Sequence, residues 1–145
     1  MYSVFSFFLF SKNLKKWIWR ILIKINNKKK FALIIMKYEN IYSSEKSIIF
    51  DGPLLISPKI FQDNRGYFYE SWNQKLFNNI IGKTISFCQD NHSSSSIGVL
   101  RGLHYQIEPI SQGKLLRVTA GSIFDVIVDL RKTSKTFGKW AGVQL

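Results

Sequence analysis

The chain of 145 residues holds one cysteine, three prolines and two histidines. A single thiol, Cys88, excludes an internal disulfide framework and any metal site built from several thiolates. His92 and His104 stand twelve residues apart with no His-x-His pair, so no metal ligand set is expected. No Gly-x-x-x-x-Gly-Lys-Ser/Thr run occurs, which excludes a phosphate loop of that type. No collagen period, heptad array or long repeat is present. Acids are missing from the first quarter: residues 1–36 carry 8 of the 21 Lys+Arg and none of the 9 Asp+Glu. The net charge of +12 therefore divides into +8 there and +4 over residues 37–145. The body is only mildly basic, and no nucleic-acid partner is expected. At 46% hydrophobic and 15% aromatic, the chain can build the core of one ordinary domain, which excludes a wholly disordered chain.

The N-terminal quarter reads differently from the rest. Its first ten residues, MYSVFSFFLF, are apolar. They are too few to span a bilayer, which takes roughly 20. They also lack the basic flank that precedes a signal-peptide core. Lys12, Lys16, Arg20, Lys24 and Lys28 then recur every four residues, with Leu14, Trp17, Ile18, Ile21, Leu22 and Ile25 opposite them. That spacing predicts a basic amphipathic helix suited to an anionic membrane surface. Lys, Asn, Ile and Phe dominate here, as in translated AT-rich DNA, and Met36 offers a second start where the composition changes. Residues 1–36 are expected to be an extension outside the fold, with membrane contact through residues 12–30 as the alternative. Residues 37–50 read as a linker and 51–145 as the folded part.

From Asp51 the pattern is short β-rich runs between turn signals. Pro53–Phe61 reads as an edge or irregular strand, since Pro58 lies inside it. Asp63-Asn64-Arg65-Gly66 is a turn and Tyr67–Trp72 an aromatic strand. Leu76, Phe77, Ile80 and Ile81 sit at helical spacing, predicting a short helix over 73–81 that ends at Gly82. Further strands are expected at 84–90, 99–107, 114–120, 123–130 and 139–145, with a Ser-rich loop at 92–97. Strands this close, without long helices between them, point to an antiparallel sandwich or barrel. Trp140–Leu145 has strand character up to the last residue, so the sheet is expected to be incomplete at its C-terminus.

Chemistry-bearing residues crowd into Gln89-Asp90-Asn91-His92-Ser93 and into Arg101-Gly102-Leu103-His104-Tyr105-Gln106. Alternation places Leu100, Gly102, His104 and Gln106 on one face of the strand read over 99–107. If that face lines a barrel, His104 points into a cavity, and a bulge at Gly102 would let Arg101 face the same space. An imidazole can serve as a general base at neutral pH. It could take a proton from carbon if Lys114 or Arg101 stabilised the enolate, each such donor contributing on the order of 3 kcal/mol. Arg65, Arg101 and Lys114 could also hold a diphosphate through charge-assisted hydrogen bonds. A structural histidine and solvated surface cations fit the same residues. Asp125 and Asp129 share a face of the strand at 123–130, and an exposed polar face and a role near the site both fit them. Cys88 has no basic sequence neighbour and reads as a core or wall thiol.

Several stretches together resemble the dTDP-4-dehydrorhamnose 3,5-epimerase family. They are Ser57-Pro58-Lys59-Ile60-Phe61; Asp63-x-Arg65-Gly66-x-Phe68-x-Glu70-Ser71; Gln89-Asp90-Asn91-His92-Ser93; Gly98 to Gln106; Gln112-Gly113-Lys114-Leu115; Phe124 to Arg131; and Thr136 to Trp140. The resemblance runs from about Pro53 to the end, and residues 1–50 contribute nothing to it. It implies an all-β cupin-type jelly roll, incomplete at the C-terminus, normally a homodimer and cytoplasmic, with neither metal nor other cofactor. It implies a dTDP-sugar substrate, dTDP-4-dehydro-6-deoxy-D-glucose, inverted at C3 and C5. His104 matches the family's base, and Arg65, Glu70, Gln89, Asp90, Asn91, Arg101 and Lys114 match positions that contact the nucleotide sugar. The family's proton-donating tyrosine belongs to a part of the pattern past Leu145. None of the six tyrosines here occupies its place in the motif order.

Overall fold

The computed structural model describes residues 2–10, 20–23, 36–42 and 48–145. Strands dominate them: β1 (Tyr2–Phe10), β2 (Arg20–Ile23), β3 (Met36–Tyr42), β4 (Ile49–Pro58), β5 (Phe61–Asp63) and β6 (Gly66–Phe68) come first. One helix, α1 (Gln74–Ile81), follows, and then β7 (Gln89–Ser95), β8 (Gln112–Ala120), β9 (Phe124–Val128) and β10 (Trp140–Gln144). Six strands form one mixed sheet in the order β3-β4-β2-β8-β1-β7, while β5–β6 and β9–β10 are antiparallel pairs.

The sheet is covered on both faces, and β8 shows how. Adjacent strand residues point to opposite faces. Leu115 joins Ile56, Phe77 and Ile85 in one buried cluster, against which Ile80, Ile81 and Phe87 pack. Leu116 joins Ile41, Phe50, Ile127 and Ala141 in a second, with Leu55, Val143 and Leu145 around it. Leu55 and Ile56 divide between the two clusters in the same way. The layers are therefore α1, the sheet, and the β9–β10 hairpin.

Helix α1 forms where the spacing predicts it. Asn73 caps it, its Oδ1 accepting from the Leu76 amide at 3.0 Å, and Gly82 closes it in a left-handed conformation at φ 73°. Phe77 is its buried residue, and its ring lies 4.8 Å from that of Trp72 and 5.5 Å from that of Phe87. The amide of Gln74 donates to the Ile85 carbonyl at 2.6 Å, and the Ile85 amide donates to Asn78 Oδ1 at 3.1 Å. These bonds strap the chain after the helix onto it.

The expected strand at 84–90 gives way to that strap, and β7 begins only at Gln89. It continues through Ser95, across the expected Ser-rich loop, because residues 89–95 pair with β1. The expected strand at 99–107 is absent: the segment is irregular, and Leu100 is 90% exposed. Both edges of β8 are already paired, by β1 and β2, so no ladder is open there for it.

The segment read as a linker holds β3 and the start of β4, and Ile41 and Phe50 in it are core residues. Residues 2–10 and 20–23, expected to stand outside the fold, are paired strands of the sheet. The predicted helix over 12–30 lies outside the described residues except at Arg20–Ile23, which is strand.

Asp125 and Asp129 are both buried, so their shared face is not an exposed one. Asp129 organises the β9–β10 connection. Its Oδ1 accepts from Arg131 Nε at 2.8 Å and the Arg131 amide at 3.0 Å. Its Oδ2 accepts from Arg131 Nη2 at 2.6 Å, Ser134 Oγ at 2.6 Å and Thr136 Oγ1 at 2.5 Å. Burial pushes this carboxyl up, and the bonds from Arg131, Ser134 and Thr136 more than offset that, holding it well below the usual carboxylate range. A depressed folded pKa stabilises the fold fully above the unfolded value, and the contribution is lost as pH falls toward the folded one.

Asp129→Asn is expected to lower stability by about 2–3 kcal/mol at neutral pH. The deficit should shrink below about pH 4, where the unfolded wild type begins to take up the proton. Denaturant melts across pH check this, and a constant deficit would assign the loss to packing. Leu115→Ala and Leu116→Ala are each expected to cost about 2–5 kcal/mol. Amide exchange distinguishes them: the first should loosen α1, the second the β9–β10 hairpin.

Candidate functional site

The sequence-predicted site residues fall on four pieces of chain. Gln89, Asp90 and Asn91 open β7, which is an edge strand of the six-stranded sheet, and all three are exposed. Gln89 Nε2 donates to Asn91 Oδ1 at 3.1 Å, so these two amides share a face and constrain each other. Lys114 stands on β8. Phe8 of β1 is the register partner of Gln89 on one side and of Lys114 on the other. Gln89 and Lys114 are therefore level, on one face, and two strand spacings apart, roughly 10 Å.

Arg101 and His104 lie in the irregular segment after β7. Arg101 reaches back to that strand: Nε donates to Ser95 Oγ at 2.9 Å and Nη2 to the Ser94 carbonyl at 3.1 Å. His104 is exposed, and its ring turns back over Gly102, where a Cβ would come within 3.6 Å of Nδ1. Gly102 has φ +121°, which an L side chain rarely adopts, so glycine is required for the backbone itself. It is no bulge in a strand, because residues 99–107 form none.

Arg65 occupies the turn of the β5–β6 hairpin, with 90% of its side chain exposed, and pairs with Asp63 through Nη2 at 2.5 Å and Nε at 3.1 Å. That guanidinium, followed by the Arg65 amide, holds the Asp63 carboxyl below its ordinary value. Glu70 follows β6, is half-buried, and accepts from Asn73 Nδ2 at 3.0 Å, next to the cap of α1.

The structure thus groups Gln89, Asn91 and Lys114 across three strands and ties Arg101 to the far end of β7. Among the described residues no hydrogen bond joins Arg65, Glu70 or His104 to that group. Two features escaped sequence reasoning. Ser94 and Ser95 read as loop residues yet end β7 and hold Arg101. A cavity of about 350 Å³ also lies beside Gln89 and Asp90, walled by Trp72, Phe87 and the exposed Cys88. The aromatic spacing of Trp72, Phe77 and Phe87 was the available signal, since their rings cluster. Cys88 stands as a wall thiol. Among the described residues no group of three His, Cys, Asp or Glu lies together as metal ligands, and no helix is long and apolar enough to cross a membrane.

A family model described as dTDP-4-dehydrorhamnose 3,5-epimerase matches residues 47–145, a range that contains every one of these site residues. Among curated proteins so named, that of Shigella flexneri is 60% identical over 92 residues, covering 63% of this chain and 51% of its own length. That of Escherichia coli K12 is 55% identical over 92 residues, covering 63% and 50%. The Mycobacterium tuberculosis protein is 46% identical over 94 residues, covering 65% and 46%. The chain spans about half the length of the curated relatives it matches. With 99 consecutive residues matched, this chain belongs to the dTDP-4-dehydrorhamnose 3,5-epimerase family.

Proposed function

We propose that this chain binds a dTDP-4-dehydro-6-deoxysugar and removes protons beside its C4 ketone, as part of 3,5-epimerisation. The observation that carries the reading is the unbroken family match over 47–145, which takes in Arg65, Glu70, Gln89, Asp90, Asn91, Arg101, His104 and Lys114 together. The ketone acidifies the protons on both neighbouring carbons, so one base can serve C3 and C5. His104 is that base. Arg101 and Lys114 offset the negative charge of the enolate and of the diphosphate, while Gln89, Asp90 and Asn91 hydrogen-bond the nucleotide sugar. Arg65 from the hairpin turn and Glu70 from the chain just after it complete the contacts. The proposal includes a cupin-type jelly roll, with residues 51–145 as its N-terminal part, a homodimer, and a cytoplasmic location. It requires no metal or other cofactor.

Abstraction and inversion are separable steps. Abstraction needs the base and a cation for the enolate. Inversion also needs an acid on the opposite face of the sugar. Exchange of carbon-bound hydrogen for deuterium reports the first step alone. The full chain incubated with dTDP-4-dehydro-6-deoxy-D-glucose in D₂O is expected to lose its C3 proton signal by NMR. His104→Asn should slow that loss by roughly 100-fold or more. No exchange by the folded chain would overturn the proposal, and unchanged exchange in the variant would move the base to another residue.

A further inference from the structure

The two exposed arginines of the site are held by different chemistry. Arg65 is paired with the Asp63 carboxylate, so much of its charge is answered locally. Arg101 is held by a hydroxyl and a carbonyl, Ser95 Oγ and the Ser94 oxygen. Among the described residues no carboxylate pairs with it. Both acceptors are neutral, so the clamp fixes the guanidinium without cancelling its charge.

The geometry of the clamp also leaves the useful edge free. A guanidinium has five N–H donors in a plane. Nε and Nη2 spend one edge on Ser95 and Ser94, and the edge shared by Nη1 and Nη2 stays open. That is the fork that meets a phosphate or carboxylate with two parallel hydrogen bonds. The anchor is firm because Ser94 and Ser95 are paired strand residues, in register with Ser3 and Tyr2 of β1. The chain returns from β7 to Arg101 through a turn in which Gly98 adopts φ +80°.

We infer that Ser95 is a positioning residue, whose hydroxyl aims the Arg101 guanidinium at the diphosphate of the nucleotide sugar while leaving its charge intact. The inference rests on the reading that Arg101 contacts that diphosphate, and the test keeps the two apart. The probe is dTDP, titrated by calorimetry into the full-length chain, with thermal melts alongside. Ser95→Ala is expected to weaken dTDP binding about fivefold with an unchanged melting temperature, and Ser95→Thr to restore it to within about twofold. The Arg101 Nε–H signal in ¹⁵N-resolved NMR should exchange faster with water in Ser95→Ala and not in Ser95→Thr. In an Arg101→Ala background, Ser95→Ala should have no further effect.

Wild-type affinity and an unchanged Nε–H signal in Ser95→Ala would overturn the inference while Arg101→Ala still weakened binding, leaving the reading of Arg101 in place. A fivefold loss that persisted without Arg101 would also overturn it, because Ser95 would then act on its own. If Arg101→Ala left dTDP affinity unchanged, the reading of Arg101 would fall and the inference with it.

Discussion

The alternation of Leu115 and Leu116 is the constraint on which the rest of the structure depends. One strand supplies a core residue to each face of the sheet, 1% and 6% exposed respectively. Burying an aliphatic side chain of this size contributes about 1.5–3 kcal/mol, so neither face can be left open cheaply. One face must find α1 and the other the β9–β10 hairpin. The alternation is exact in period, and a one-residue slip of β8 would exchange the two clusters. The register that seats Leu115 and Leu116 also fixes Lys114 level with Gln89. Part of the site geometry therefore follows directly from the core.

The site is otherwise built on the sheet's rim. Gln89, Asp90 and Asn91 are on an edge strand, Arg101 is tied to the end of that strand, and His104 follows in an irregular stretch. Edge strands carry backbone donors and acceptors that no neighbouring strand uses. The stretch that carries His104, with its exposed Leu100 and Leu103, has no strand partner. Its composition is that of a buried strand, and its place in the fold is that of a loop.

What was legible in the sequence was local. The Asn73 cap, the helical spacing of Phe77, Ile80 and Ile81, and Gly82 all act within a few residues, and the helix appears over 74–81. The Asp63–Gly66 turn, β8, β9 and β10 were legible for the same reason, since turn signals and short apolar runs bracket them. Strand partners were not legible. Nothing in Val99–Ile107 says whether a sheet edge will be open to it, and nothing in Gln89–Ser95 says that β1 will pair with all seven residues. Asp129 was legible as a strand-face acid but not as the hub of a buried loop network, because its partners Arg131, Ser134 and Thr136 form that network only once the connection folds. The chemistry-bearing residue types were visible, whereas the Ser95–Arg101 clamp forms only when the chain after β7 folds back onto it.

Exposure sets what the grouped residues can do. Two unit charges 4 Å apart interact by about 1 kcal/mol in bulk water and about 4 kcal/mol at the effective dielectric of a protein surface. Lys114 is half-buried between paired strands, whereas Arg101 and His104 face solvent. A charge beside Lys114 is therefore screened less than one beside Arg101. A neutral clamp matters most in that setting. Where water already weakens every charge, an arginine that also surrendered its charge to a neighbouring carboxylate would have little left for a diphosphate. Arg65, paired with Asp63, shows that alternative in the same molecule. The division follows from these partners: Arg101 keeps its charge beside neutral acceptors, and Arg65 spends much of its own on the carboxylate of its turn.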